Sequence, residues 1–369
     1  MKVIKFIKTD TILVVSGLLA LISCFFVHPD GKYLDYINFR VLAILFSLML
    51  VVSALVRIGT FSWLTGKLLG RIRSERYISL FLVLLSFFLS MLLTNDVALV
   101  TLVPFALMLL EAFGDRRRTI YTLILMTIGA NLGSMLTPIG NPQNLYLFTE
   151  YGFTLTGFLR LMFPYTLASL VLLVFGVLLL NRTDHTADNA NVEKAPMPNI
   201  PRLLVYMALF FVCLATVAGT LHYLIMLGIV TALVLILDWR AILKVDFSLL
   251  LTFVFFFILI GNIGRIDAIR NTLTEIVDQN VALTAILSSQ IISNVPAAML
   301  LSAFTKQGSL LVIGVNLGGL GTLIASMASL ITYKFYAKTK RKGEGYILKF
   351  SIISLIFLVV LYLLYILIR

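Results

Sequence analysis

The stretch YISLFLVLLSFFLSMLLTNDVALVTLVPFALMLLE, residues 77–111, decides how this chain reads. It is apolar throughout except at its middle, Thr94-Asn95-Asp96, and cations flank both ends: Arg57, Lys67, Arg71, Arg73 and Arg76 before it, Arg116, Arg117 and Arg118 after it. Lys and Arg concentrate on the cytoplasmic side of membrane proteins, so the stretch enters and leaves on that one side. It is too long for one crossing of a hydrocarbon core about 30 Å thick, and two arms of about 16–18 residues are each on the short side for a full one. The reading is a re-entrant hairpin with a buried polar tip; the alternative is two short spans.

The rest of the chain agrees with a membrane setting. Of 369 residues 60% are hydrophobic and only 12% charged, and the mean hydropathy is +1.04. A soluble domain carries roughly twice that charge. Spans without water must satisfy their own backbone, so the apolar runs read as helices, and no alternating segments suggest a barrel. The net charge of +12 sits in short loops, not in patches interleaved with aromatics, so nucleic acid is not a predicted partner. Cys24 and Cys213 read as buried small hydrophobes, His28, His185 and His222 have no metal-ligand spacing, and no P-loop supplies an ATPase motor.

Loop charge sets the topology. Lys2, Lys5 and Lys8 precede a retained first helix at about 11–27, which puts the N-terminus inside. The loop with Lys32 is outside, and a helix at about 39–59 returns to the cytoplasm before the hairpin. The run from Thr119 to Glu150 crosses outward, interrupted at Gly129-Ala130-Asn131-Leu132-Gly133 and at Thr137-Pro138-Ile139-Gly140-Asn141-Pro142. A helix at about 154–180 closes the first half. Residues 181–202, with Arg182, Lys194 and Arg202, read as a cytoplasmic linker.

The second half repeats the plan after helices at about 203–220 and 224–237. Arg240 and Lys244 mark the inside, a helix at about 247–264 goes out, and the loop from Arg265 to Asp278 is outside. Val281 to Thr305 is again apolar with a polar middle, Ser293-Asn294, and now opens from outside. Ser309 to Tyr333 is interrupted at Gly314-Val315-Asn316-Leu317-Gly318 and ends inside at Lys334, Lys338, Lys340, Arg341 and Lys342. A helix at about 348–368 places the C-terminus outside. The predicted fold is an all-α polytopic membrane protein of about ten transmembrane helices, two of them broken, plus two re-entrant hairpins. Residues 1–180 and 203–369 form an inverted-topology repeat.

Broken helices offer half-helix N-termini to an anion and free carbonyls to Na⁺. The candidate substrate residues are Thr94, Asn95, Asn131, Thr137, Pro138, Gly140, Asn141, Ser293, Asn294 and Asn316, with Gln143, Thr322 and Ser326 beside them. The tip asparagines offer two donors and an acceptor each, and capping the hairpin arms is the competing role. Glycines at the breaks read equally as close helix packing. Asp96 is the one carboxylate inside an apolar stretch, which marks it as functional. It could carry a coupling proton, ligate Na⁺ with Asn95 and Asn294, or cap the second arm. No cofactor is expected beyond a coupling Na⁺ or H⁺.

At these residues the sequence resembles the ion transporter superfamily of divalent anion:sodium symporters, citrate permeases, arsenite permeases and a sodium/proton antiporter branch. The resemblance rests on TNDVALVTLVPF (94–105), GANLGSMLTPIGNPQNLY (129–146), SNVPAAMLL (293–301) and GVNLGGLGTLIASMASLITYKFY (314–336). It implies an elevator-like mechanism, a homodimer, and substrate and cation sites at the tips and breaks. The dicarboxylate symporters carry Ser-Asn-Thr at both tips. Here the tips are Thr94-Asn95-Asp96 and Ser293-Asn294-Val295, and the second break has the form found in arsenite permeases. The expected function is a small-anion transporter coupled to Na⁺ or H⁺ in the cytoplasmic membrane. An arsenite-type efflux permease and a Na⁺/H⁺ antiporter are the alternatives. An intramembrane enzyme would need a nucleophile–base pair, which one intramembrane Asp without a buried His does not provide.

Overall fold

The computed structural model describes residues 11–69, 74–111, 115–180, 196–339 and 345–368. Lys2, Lys5, Lys8, Arg71, Arg73, Arg182, Lys194, Lys340, Arg341, Lys342 and most of the 181–202 linker lie outside the described residues. The described chain is helical and contains no strand. Seven of its helices are long and apolar enough to cross a membrane: Phe39–Arg57, Glu75–Leu92, one beginning at Leu155, Ile200–Val217, one beginning at Tyr223, Phe247–Gly264 and Tyr346–Ile368. Large apolar side chains cover the outer surface, with Phe25, Ile236 and Leu367 each more than three-quarters exposed. Water would not tolerate so continuous an apolar surface. The chain is a multi-pass, all-α membrane protein.

Two halves share one element order. The first runs Phe39–Arg57, a short helix Thr60–Leu69, a hairpin Glu75–Leu92 and Asn95–Glu111, an interrupted helix Arg116–Ser134 and Pro142–Glu150, and Leu155–Leu180. The second runs Phe247–Gly264, a short helix Asp267–Gln279, a hairpin Val281–Ile292 and Asn294–Ser302, an interrupted helix Gly308–Gly318 and Met327–Lys338, and Tyr346–Ile368. The helices left over pair crosswise: Thr11–Phe26 packs on Phe247–Gly264, whereas Ile200–Val217 and Tyr223–Asp238 pack on Phe39–Arg57.

Side-chain caps start these helices. Ser74 accepts from the Tyr77 N–H, Asp115 from Arg118, Asn280 from Leu283 and Asp246 from Leu249. The first arm of each hairpin then lies against the first segment of its interrupted helix at very short range. A Cβ at Gly133 would stand 2.0 Å from the Phe87 carbonyl oxygen, and one at Gly318 would stand 2.6 Å from Ser289 Oγ. Each hairpin is also tied at its open end. Glu75 and Arg118, both buried, form an ion pair at the first. At the second, the Asp278 carboxylate accepts from Thr305 Oγ1 at 2.6 Å and from Gln307 Nε2 at 3.3 Å.

The structure corrects three expectations. Gly129–Gly133 and Gly314–Gly318 do not interrupt their helices but form the last turns of Arg116–Ser134 and Gly308–Gly318. Their glycines serve close packing, and the breaks follow at 135–141 and 319–326. The stretch from Arg265 to Asp278, expected as a loop, lies largely in the helix Asp267–Gln279, which is amphipathic. The segment after Arg57 holds the helix Thr60–Leu69.

Candidate functional site

Each hairpin tip rests on the break of its own half through the same backbone contact. The Asn95 N–H donates to the Gly140 carbonyl at 3.2 Å, and the Asn294 N–H donates to the Ala325 carbonyl at 3.0 Å. At the first tip Thr94 Oγ1 accepts from the Val97 N–H at 3.4 Å, and Asn95 Oδ1 accepts from the Asp96 N–H at 2.9 Å. Both residues therefore cap the second arm. The second tip is tighter: Ser293 adopts φ 73°, ψ 156° and is the one described non-glycine residue with positive φ.

Side-chain amides join the two halves. Asn95 Nδ2 donates to Asn131 Oδ1 at 2.8 Å, and Ser326 Oγ from the second half donates to that same oxygen at 2.9 Å. Asn316 Nδ2 donates to Asn144 Oδ1 of the first half at 2.7 Å and to the Val312 carbonyl at 2.8 Å.

The breaks free carbonyls that the helices no longer use, and side chains collect them. Asn144 Nδ2 lies 3.3, 3.4 and 3.3 Å from the carbonyls of Ser134, Met135 and Thr137. Thr137 Oγ1 donates to the Met91 carbonyl at 2.5 Å, which clips the break to the first hairpin arm. Pro138 lies inside the break and has no N–H to satisfy. Gly140 approaches Ser134 so closely that a Cβ would stand 2.2 Å from its carbonyl oxygen. At the second break Gln290 Nε2 donates to Gly318 and Leu320, both at 2.9 Å, and Gln290 Oε1 accepts from the Thr322 N–H at 3.0 Å.

Asn144 and Gln290 hold the two breaks together, and sequence reasoning missed both. Asn144 stands inside the quoted 129–146 segment, and full burial of its amide is what singles it out. Gln290 carries no local signal for this purpose, because its partners in the break lie 28–32 residues away.

What remains unsatisfied defines the site. Among the described residues Asn131 Nδ2, Asn141 Oδ1, Gln143 Nε2, Asn316 Oδ1 and Asp96 Oδ1 are buried and make no hydrogen bond. Asn141 Nδ2 is held by Ser134 Oγ at 2.6 Å. Well over 90% of buried polar groups are paired in native proteins, and a dry orphan costs about 1–3 kcal/mol. Five such atoms lie at the first tip and beside the two breaks, which makes this junction the candidate site for a polar ligand. The set mixes donors and acceptors, and no Lys, Arg or His occurs in 90–100, 129–146, 289–299 or 314–326. The helices Asn95–Glu111, Pro142–Glu150, Asn294–Ser302 and Met327–Lys338 all begin here, so their positive dipole ends supply the attraction for negative charge. Asp96 is the site's one carboxyl.

Known proteins are similar to this sequence. Residues 3–309 match the citrate transporter family. The uncharacterized transporter MJ0456 of Methanocaldococcus jannaschii is 33% identical over 326 residues, 88% of each chain. The inner membrane protein YbiR of Escherichia coli is 33% identical over 301 residues, 81% of this chain and 80% of its own. The silicon efflux transporter LSI3 of Oryza sativa is 30% identical over 155 residues, 42% of this chain and 31% of its own. A polytopic helical membrane protein with an unsatisfied polar centre, matched over most of its length by transporters, is itself a transporter, and it belongs to the citrate transporter family.

Proposed function

We propose that the chain is a secondary transporter of a small anion, a carboxylate or an inorganic oxyanion, bound at the amide cluster between the two breaks. The observation that carries this reading is the set of buried, unpartnered amide atoms on Asn131, Asn141, Gln143 and Asn316. Amides and helix N-termini replace the hydration of a small oxygen-rich solute without fixing it as an Arg would, and a carrier must also release its cargo. Asp96 carries the coupling ion, as a proton or as a ligand to Na⁺ beside Asn95 and Asn294. The halves 1–180 and 203–369 act as an inverted repeat in the cytoplasmic membrane, N-terminus inside and C-terminus outside. Hairpins and interrupted helices move elevator-like against the long helices, within a homodimer. The shared element order and the loop charge support this arrangement.

The test is counterflow in proteoliposomes with radiolabelled citrate, succinate, phosphate and arsenite. Exchange of at least one probe is expected, and Asn316→Ala should raise its half-saturation about tenfold, equivalent to about 1.4 kcal/mol of lost binding. No exchange of any oxyanion or carboxylate removes this reading.

The mixture of donors and acceptors favours one further reading, an efflux permease of the arsenite type. A weak, hydroxylated inorganic acid brings both donors and acceptors, which matches the orphan set better than a fully ionised tricarboxylate does. The similarity to a silicon efflux transporter over 42% of the chain points the same way. Arsenite exchange without citrate exchange would select it.

A further inference from the structure

The helix Met327–Lys338 carries a polar face that the site does not absorb. Ser326, at the N-cap position of this segment, and then Ser329, Thr332 and Tyr336 follow at helical spacing, and all four are buried. Ser326 is held by Asn131 at the central site, and Tyr336 lies in the last turn before Lys338. Ten residues of helix rise about 15 Å, half the thickness of a hydrocarbon core. Facing side chains complete the line. Thr127 Oγ1 donates to Thr332 Oγ1 at 2.8 Å, and Tyr346, which lies beside Thr127, stacks on Tyr336 with ring centroids 4.9 Å apart.

Hydroxyls between membrane helices often serve as glue, but glue is paired. Here Ser329 Oγ and Tyr336 Oη are buried and make no hydrogen bond among the described residues. The other half provides an internal control. Asn141 stands before Pro142–Glu150 as Ser326 stands before Met327–Lys338, so Asn144, Leu147 and Tyr151 are the counterparts of Ser329, Thr332 and Tyr336. Asn144 is fully engaged, Leu147 is apolar, and the Tyr151 hydroxyl donates to the carbonyls of Ser302 and Thr305 at 3.3 and 3.0 Å. One half closes this face; the other leaves it polar, with Ser329 and Tyr336 unpartnered.

We propose that the hydroxyl face Ser326, Ser329, Thr332 and Tyr336, completed by Thr127 and Tyr346, holds a water chain that conducts the coupling proton between the central site and the end of the protein that carries Lys338. The proposal rests on the proton-coupled form of the proposed function. Each water or hydroxyl accepts a proton on a lone pair and passes its own onward, so none ends charged and the net event is one proton moved. Among the described residues, Lys338 lies over the Phe335 ring, and Lys349 and Arg117 lie over the Tyr121 ring, near that end of the route.

Two measurements on the full-length protein in vesicles test it. In X-ray hydroxyl-radical labelling, which reads local water, Tyr336 and Tyr346 should react nearly as fast as the exposed Tyr77, not as slowly as the buried Tyr165. In vesicles with a trapped pH dye, Thr332→Val should slow proton movement driven by a citrate or arsenite gradient about tenfold. Thr127→Val should do the same, while the thermal shift given by the same probe stays at the wild-type value. Dry tyrosines would overturn the route, as would wild-type proton flux in both valine variants or a wet face with no proton movement in the wild type. Failure of the proposed function looks different: no probe would shift the melting temperature of the wild type.

Discussion

Ser293 holds a backbone conformation, φ 73° and ψ 156°, that side-chain-bearing residues scarcely populate and that costs on the order of 1–3 kcal/mol. Its neighbour Asn294 reaches the Ala325 carbonyl because of that turn. Ser293→Gly should therefore raise stability by about 1 kcal/mol, the relieved strain less the glycine's backbone entropy. Chemical denaturation in detergent reads this, and a loss of stability would mean that the serine's weak contacts outweigh the strain. Asp96 gives a functional prediction. Asp96→Asn should abolish accumulation driven by a pH gradient and leave exchange intact; unchanged pH-driven accumulation would sink its role as proton carrier. At this scale much was legible. Asn95, Asn131, Asn294 and Asn316 stand out because polar residues are rare in apolar runs, and the structure places all four at the junction of tips and breaks. Asn144 and Gln290 were not singled out, because a residue that collects the carbonyls of a distant break shows its purpose only once the chain is folded.

The hairpins and interrupted helices were legible as elements, and their internal geometry was not. Gly-x-Asn-Leu-Gly reads as a helix breaker, since glycine disfavours helix. In the structure its glycines let a hairpin arm approach, and the same residue type fits both purposes. Gly133→Ala discriminates between them. If Gly133 were a hinge, alanine would be tolerated or stabilising. With the Phe87 carbonyl oxygen 2.0 Å from the new Cβ, the loss should reach about 3 kcal/mol, at the upper end of overpacking costs. Wild-type stability of this variant would return the pentapeptide to the breaks. The tie at the first hairpin's open end makes a second prediction. Removing one member of the buried Glu75–Arg118 pair strands a charge, so Arg118→Ala should cost about 3–5 kcal/mol. Replacement of both residues by apolar ones should restore most of that loss.

Across the whole molecule, two halves of one plan meet at a centre that neither completes alone. Asn131 of the first half is held by Ser326 of the second, and Asn316 of the second by Asn144 of the first. The repeated motifs made this shared element order readable before any coordinates. They could not show the reciprocal packing of Thr11–Phe26 and Tyr223–Asp238 on the opposite halves, because apolar helix faces carry no partner label. The central claim is that the orphan amides at this centre are the substrate site. Thermal unfolding of the purified protein against citrate, succinate, sulfate, phosphate, arsenite and gluconate, each with and without Na⁺, tests it most directly. A ligand present at 100 times its Kd stabilises by about 2.7 kcal/mol. One of these solutes should raise the melting temperature, and the shift should vanish in both Asn131→Ala and Asn316→Ala. A shift that survives in both variants, or a shift with Na⁺ alone and none with any of these solutes, would contradict the account.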